Sequence, residues 1–431
     1  MAKLVVLGAG AMGLAAAHQA LKEGHDTTVV EADKQAGGMA AHFDFGGVSL
    51  ERFYHFVCKA DAPTFALMQD LGIADRMRWV PTRMGYFIGG RLHPWGDPIS
   101  LLKLPELSLF QKLRYALMAF VSTKRSDCSK LEELSAREWL EGWVGRSAYE
   151  KMWEPLFRLK FFELADDISA AWIWTRIKRV GTSRRSMFQE ELGYIDGGSE
   201  TLVHALVAAV EGAGGTLRLG EPAAEVVVKN GAVSEVRLAS GESLPCEAVI
   251  STVPTPFVPQ LVPALSEAWK EKYRAIRNIP VVCVVVKLGQ PVSENFWVNI
   301  CDPEIEVPGI IEFSNLRPFP EPIVYVPYYM PASHPKWQWS DEQFIAEVIG
   351  YLKRLNPKLR DDDVLATKVG RLRYAQPVCE PGFAAKIPPV QTPISGLQIA
   401  DTCFYYPEDR GIAESVRLGA EMALRVGAAP Q

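Results

Sequence analysis

Cysteine is scarce in this chain and poorly placed for metal or disulfide chemistry. The 431 residues hold seven cysteines, an odd number with no C-x-x-C pair, which argues against a zinc ribbon or a dithiol redox motif. Together with the lack of a secretory leader, this points to reduced thiols in a cytoplasmic setting, and no metal site is expected. Charge of one sign is not in excess either: 46 Lys and Arg against 51 Asp and Glu leave a net charge of −5, which gives no sign of a nucleic-acid partner. Also missing are a bilayer-length apolar run, an internal repeat and a low-complexity segment. Lys3, the apolar stretch after it and the small residues Ala15 to Ala17 mimic a signal peptide, but three glycines interrupt the would-be apolar core.

What the chain does have is an ordered set of glycines near its start. Gly8-Ala9-Gly10-Ala11-Met12-Gly13 follows the apolar run Leu4 to Leu7 and has the spacing of a dinucleotide-binding strand-turn-helix. Gly8 permits the tight turn out of the strand. Gly10 lets the backbone come close to a pyrophosphate, and Gly13 lets the helix pack closely on the sheet. The unpaired N–H groups opening that helix would face phosphate charge. Glu31, followed by Ala32, ends a second apolar run, Thr27 to Val30, where a carboxylate accepts hydrogen bonds from a ribose and disfavours a 2′-phosphate. Gly37-Gly38 and Met39 follow, and the combination favours FAD over NAD.

A chain of this length exceeds one ordinary domain. Its pattern reads as α/β: a Rossmann-like FAD-binding domain of the glutathione-reductase type, discontinuous over residues 1–90, 191–265 and 376–431. Two insertions interrupt it, a mostly helical, aromatic-rich region over 91–190 and an α+β substrate domain with a mixed sheet over 266–375. Helical patterning runs over Leu101 to Thr123 and Ser135 to Phe162. A hairpin is expected over Tyr86 to Leu92, and a second where Asn230-Gly231 joins the alternating runs Ala224 to Lys229 and Val233 to Leu238.

These pieces resemble the flavoprotein group that contains amine oxidases, protoporphyrinogen oxidases, phytoene desaturases and UDP-galactopyranose mutases. The likeness covers the nucleotide-binding pieces, roughly half the chain. Three markers carry it: the glycine fingerprint with Glu31 and Gly37-Gly38; Gly197-Gly198 before a helix, with the later run Val249 to Pro254; and Gly396 to Asp401 followed by Gly411-Ile412-Ala413. The resemblance implies noncovalent FAD, with the strand around Val226 passing the adenine and Thr252 at the cofactor. It further implies that Asp401 bonds the ribityl or neighbouring hydroxyls, and that N–H groups at Ile412 and Ala413 face the flavin pyrimidine edge. A helix N-terminus there stabilises the negative charge of reduced flavin.

Glu51 to Phe56 follows Asp44-Phe45-Gly46-Gly47, which resembles the family's stretch leading to the isoalloxazine. It offers Arg52, Phe53, Tyr54 and His55, with Phe53 and Tyr54 as flavin contacts. Arg52, Tyr54 and His55 are the catalytic candidates, because histidine exchanges protons near neutral pH; a structural histidine between aromatics is the other reading. The chain departs from amine oxidases at Met39, where they commonly carry Arg, and at Ile412, where they carry an aromatic. The position aligned with their flavin-facing Lys is Cys283. A basic cluster, Arg176, Lys178, Arg179, Arg184 and Arg185, flanks Trp172 and Trp174 and has three readings. One is an anionic small-molecule substrate, the second a peripheral membrane contact helped by the run Lys112 to Lys124, and the third a solvated helix face. The expected activity is hydride transfer from a small molecule to flavin, with a mutase-like isomerisation of a nucleotide sugar as the alternative.

Overall fold

The computed structural model describes residues 1–427. Its first sheet is built from five short strands: β1 (Lys3–Leu7), β2 (Asp26–Glu31), β3 (Thr216–Leu219), β4 (Ala248–Ser251) and β5 (Leu397–Ile399). They are all parallel, in the order β3-β2-β1-β4-β5. The near-continuous apolar runs in β1 and β4 follow from this, because a parallel strand is covered on both faces. On one face helix α1 (Ala11–Lys22) packs with the helices Ser199–Gly212 and Ile412–Leu424 through Leu14, Leu206, Val210 and Met422. The other face is covered by Val226, Val236, Leu261 and Tyr273. The strand order reverses beside β1, and a crevice opens at such a switch point over the carboxyl ends of the strands.

Two glycines set how closely these layers approach. A Cβ at Gly13 would lie 1.8 Å from the Gly8 carbonyl oxygen, and one at Gly419, on the C-terminal helix, 2.2 Å from the Met12 carbonyl oxygen. Only hydrogen side chains let α1 seat against both the turn that precedes it and the C-terminal helix.

The second sheet has seven strands, in the order Val364–Pro377, Asn278–Leu288, Ile323–Tyr329, Gly309–Glu312, Trp297–Ile300, Met84–Ile88 and Arg91–Trp95. Asn278–Leu288 is buried along nearly its whole length, which fits a valine-rich strand paired on both sides. The hairpin expected over Tyr86 to Leu92 forms, turning at Gly89 (φ 60°) and Gly90 (φ 71°). It pairs in parallel with Trp297–Ile300 and so belongs to this second sheet, although the sequence pattern grouped it with the nucleotide-binding segment ending at residue 90. The hairpin is a local signal, whereas its partner strand lies some two hundred residues away. The other expected hairpin spans Ala223–Lys229 and Ala232–Leu238, with Asn230 at φ 53° and Gly231 at φ 78°.

Residues 98–182 are helical, as the pattern indicated, but broken into shorter pieces. The run Leu101 to Thr123 splits into Pro98–Lys103 and α2 (Leu109–Lys124), the latter opened by a capping box of Ser108 and Gln111. The run Ser135 to Phe162 breaks at Gly145, where φ is 85°, and again at Trp153, before α3 (Glu154–Phe161). Then comes α4 (Ala170–Thr182). Leu140, Tyr149, Phe161 and Trp172 join these helices in a core shared with Val281 and Tyr329 of the second sheet.

The Gly419→Ala variant should lose roughly 1–3 kcal/mol through overpacking against Met12, read as a lower midpoint in thermal unfolding. Gly350, mid-helix with nothing within 4 Å of an added Cβ, is the control. Gly350→Ala should be neutral or stabilising by up to about 1 kcal/mol.

Candidate functional site

One large cavity of about 1220 Å³ opens over the carboxyl ends of β1, β2, β4 and β5 and continues between the helical region and the second sheet. It exceeds the roughly 300–1,000 Å³ of an ordinary single-ligand pocket, so it has room for a dinucleotide and a second molecule. Its two ends are built differently.

At the β1–α1 end, β2 delivers Glu31 with its carboxylate already fixed: Oε2 accepts from the Ala9 N–H at 2.7 Å and Oε1 from the Asp33 N–H at 2.8 Å. A Cβ at Gly10 would meet nothing within 4 Å, which leaves open space at the start of α1, where free N–H groups favour an anion. Gly37, at φ 116°, donates its N–H to the Ala9 carbonyl at 2.8 Å, so the second glycine pair lies against the first. Thr252 lines the cavity and donates from Oγ1 to the Leu7 carbonyl at 2.9 Å. Arg52 is also at this end, paired with Asp33 at 2.6 Å, and burdens itself with an acid rather than reaching toward His55.

At the other end, the C-terminal helix starts at Ile412 after Gly411, whose side chain can supply no cap, and both residues line the cavity. Asp401 is buried, its two oxygens accepting from the Thr255 N–H (2.7 Å) and the Cys403 N–H (2.9 Å). It therefore fixes two loops at the cavity edge. The space beyond Gly10, the fixed Glu31 carboxylate and the uncapped helix terminus together fit a flavin dinucleotide.

Of the residues expected at the cofactor, Gly8, Gly10, Ala11, Met12, Glu31, Ala32, Gly37, Gly38, Met39, Phe53, Tyr54, Thr252, Asp401, Gly411 and Ile412 line the cavity. Gly13, Val226 and Ala413 do not. Gly13 serves helix packing. Val226 is fully buried in the core, and Pro222, Ala223 and Ala224 present that segment to the cavity instead. Cys283 is buried among Phe45, Tyr325 and Phe313, away from the lining, and burial pushes its thiol up to about 12. Cys403 is buried too.

Between the two ends passes the segment Arg52 to Val57. Its start is pinned by Glu51, which accepts from Arg317 (3.0 Å) and from the Ser199 N–H (3.2 Å). Tyr54 packs edge-on to Trp297 and Tyr325 at 5.5 and 5.8 Å, and burial raises its phenol well above the ordinary range. His55 lines the cavity with a buried Nδ1 that has no hydrogen-bond partner. Burial lowers its pKa to about 4, with Arg410 pushing the same way, so the ring is neutral at physiological pH.

The basic cluster divides. Arg176 lines the cavity and pairs with Asp409. Arg179 also lines it but is engaged by Asp61 at 2.9 and 2.7 Å. Arg184 is spent on the Gly96 and Met187 carbonyls at 2.8 and 3.0 Å, Lys178 lies over Trp174 and Arg185 is exposed. Lys160, Tyr329, Asp409 and Arg410 line the cavity as well and were not singled out from sequence. The one signal was that Asp409-Arg410 immediately precedes Gly411; Lys160 lies in a helical region with no motif.

The model of the flavin containing amine oxidoreductases matches residues 13–401. The chain belongs to that family. Members of this family are flavin-containing oxidoreductases, and the lining of the cavity described above fits an FAD cofactor. Among curated proteins it is 24% identical over 311 residues to the 15-cis-phytoene desaturase of Synechococcus elongatus, covering 65% of this chain and 64% of the desaturase. It is 29% identical over 139 residues to protoporphyrinogen oxidase 2 of Arabidopsis thaliana, over 32% of this chain and 27% of that one. The match thus spans less than two thirds of these relatives. Among solved structures the fold is similar to reduced UDP-galactopyranose mutase (TM-score 0.76, 16% identity, 100% of this chain and 97% of that one). It is also similar to cyclohexylamine oxidase from Brevibacterium oxydans (TM-score 0.71, 15% identity, 98% of each chain). No helix among the described residues is long and apolar enough to cross a membrane.

Glu31→Gln keeps the shape of the side chain but removes the charge that would accept from a ribose. It should weaken FAD by about 1–3 kcal/mol, roughly five- to a hundredfold in Kd, measured by quenching of flavin fluorescence on titration into the apoprotein.

Proposed function

We propose that the protein oxidises a small molecule held between its helical region and second sheet, with noncovalent FAD as hydride acceptor. The observation that supports this most directly is the shape of the cavity, whose dinucleotide-fitted end runs without a break into a chamber walled by Tyr54, Trp153, Phe157, Trp172 and Tyr329. Apolar walls exclude water and strengthen every electrostatic contact inside. The bound cofactor supplies the redox chemistry.

The chain's own part is positioning and proton handling. His55, neutral and with Nδ1 unpaired, is available to accept a proton from a substrate N–H or O–H. Tyr54, a phenol that stays protonated, can orient a substrate by hydrogen bonding but does not serve as a base. Arg52, held by Asp33, steadies the loop behind the cofactor and is assigned no proton transfer. A mutase-like isomerisation of a nucleotide sugar is the second reading. The cationic lining at Arg176 and Arg410 favours it, since a diphosphate would need such partners.

A membrane contact is a further part of this reading. Leu109, Leu113, Leu117 and Phe120 fall on one face of α2 and each is more than half exposed, as is Phe110 beside them. The helix carries Lys112, Arg114 and Lys124 and no acid, against a net charge of −5 for the whole chain. An apolar face with a basic rim suits an anionic bilayer surface.

Anaerobic mixing of the flavoprotein with a metabolite panel should bleach the flavin absorbance with one compound. Turnover of a nucleotide sugar only after prereduction would select the isomerase instead, and no response by either route would reject both readings. The His55→Gln variant should retain FAD and lose about 10²-fold or more in kcat. Because His55 titrates near pH 4, wild-type kcat should show no histidine limb between roughly pH 5 and 8. Vesicles containing phosphatidylglycerol should co-sediment the protein, and neutral vesicles should not. Replacing both Leu113 and Leu117 by Glu should abolish the effect without lowering the unfolding midpoint, and unchanged sedimentation of that variant would reject the membrane contact.

A further inference from the structure

Three cations converge on the inner chamber with one carboxylate among them. Lys160, near the end of α3, holds its ammonium 5.5, 5.1 and 5.0 Å from the ring centroids of Phe161, Trp172 and Tyr329. It makes no ion pair and no hydrogen bond among the described residues. Arg176, on α4, lies 5.0 Å from the same Trp172 ring and pairs with Asp409. Arg410 lies 5.7 Å from the same Tyr329 ring and donates to Tyr329 Oη at 2.9 Å and to the Ala375 carbonyl. The shared rings bring all three charges around one volume, and all three side chains line the cavity.

The charge does not balance. When Lys160 is protonated, the three cations exceed the one carboxylate by two positive charges in the cavity wall. Burial pushes the Lys160 ammonium well below its ordinary range, and Arg176 adds to the effect. Burial would raise Asp409, but Arg176, Lys160 and Arg410 outweigh it and hold the acid at about 2, so Asp409 is spent as a counter-ion and is no base. A buried cation without a partner is costly, and cation–π contact with three rings offsets only part of that. The glycine turn that fits the cofactor's phosphates belongs to β1 and α1, whereas the three cations stand on α3, α4 and the loop before the C-terminal helix.

We propose that Lys160, Arg176 and Arg410 form a subsite for an oxyanion of the substrate, a carboxylate or a phosphate attached to an apolar, ring-sized body that lies against Trp172 and Tyr329. This rests on the oxidoreductase reading and specifies its substrate class. Guanidinium forks bind such groups directionally, and the ammonium adds a point charge. Binding would restore the Lys160 proton, so affinity should fall as pH rises. Arg410 and the ionised Asp409 keep their charges over that range, and the nearby Cys379 thiol, pushed well up by burial, stays neutral.

The test uses FAD-loaded protein and three probes of one size, sodium benzoate, phenyl phosphate and benzyl alcohol, titrated while the visible flavin band is followed. Either anion, and not the alcohol, should perturb the band saturably, and the stronger of the two identifies the oxyanion. In Lys160→Met that probe should bind roughly tenfold more weakly, equivalent to about 1.4 kcal/mol, with its pH dependence flattened, whereas Lys160→Arg should keep most of the affinity. Should Lys160→Met not fold by circular dichroism, Lys160→Gln serves the same comparison. The proposal is overturned by benzyl alcohol binding as well as the anions, by no probe perturbing wild type, or by Lys160→Met leaving affinity unchanged. It is equally overturned by a folded Lys160→Met that no longer retains FAD, which would assign the charge to the cofactor. Wild-type protein that retains no flavin at all would instead defeat the oxidoreductase reading.

Discussion

Everything in this molecule hangs on how closely three pieces of backbone approach one another at the start of α1. The Gly8 carbonyl fills the space where a Gly13 side chain would stand, and the Met12 carbonyl fills the space of a Gly419 side chain. Thr252, the residue after β4, bonds the end of β1 at the same place. This contact seats α1 over the switch point of the parallel sheet and leaves Gly10 facing open space, so the start of the helix is turned toward a ligand. The C-terminal helix rests on α1, and its own N-terminus thereby reaches the far end of the same cavity. One packing constraint therefore sets both ends of the cavity.

The chamber beyond the cofactor obeys a different logic. Its walls come from α3, α4, the second sheet and the loop before the C-terminal helix, and aromatic rings rather than glycines determine its dimensions. Rings serve two purposes there. They exclude water, and their faces tolerate the ammonium and guanidinium groups that point inward. Low polarity makes each remaining charge consequential, which is why His55 is neutral and Asp409 is held ionised by its neighbours. Arg52 is bonded to Asp33 and Arg179 to Asp61, whereas Lys160 has no acid partner within ion-pair distance among the described residues.

Legibility in the sequence tracked the range of the interaction concerned. The parallel sheet, the turn at Gly8 to Gly13, the carboxylate at Glu31 and the hairpin turn at Asn230-Gly231 are local features, with residue types that few other conformations require, and all could be read directly. The helical region could be recognised, but its breaks at Pro105, Gly145 and Trp153 were smoothed over, since hydrophobic periodicity continues across short interruptions. The hairpin at residues 84–95 was seen and assigned to the other sheet, because nothing local names its partner strand. Val226 was expected at the adenine; it is buried in the core beyond a register shift between Ala223 and Glu225, and Pro222 to Ala224 reach the cavity instead.

The sequence by itself determined the nucleotide-binding fold and its cofactor, because both rest on short segments whose backbone geometry only glycine, or a single carboxylate at a strand end, can satisfy. Tertiary structure alone decided which charges face the inner chamber. Lys160, Arg176, Asp409 and Arg410 come from segments separated by as much as 250 residues, none of them forms a motif, and two of the five arginines and lysines that did look like a cluster reach the cavity at all. A charge in a sequence carries no information on which others it will face. Only the closing of α3 and α4 over the second sheet brings these four together.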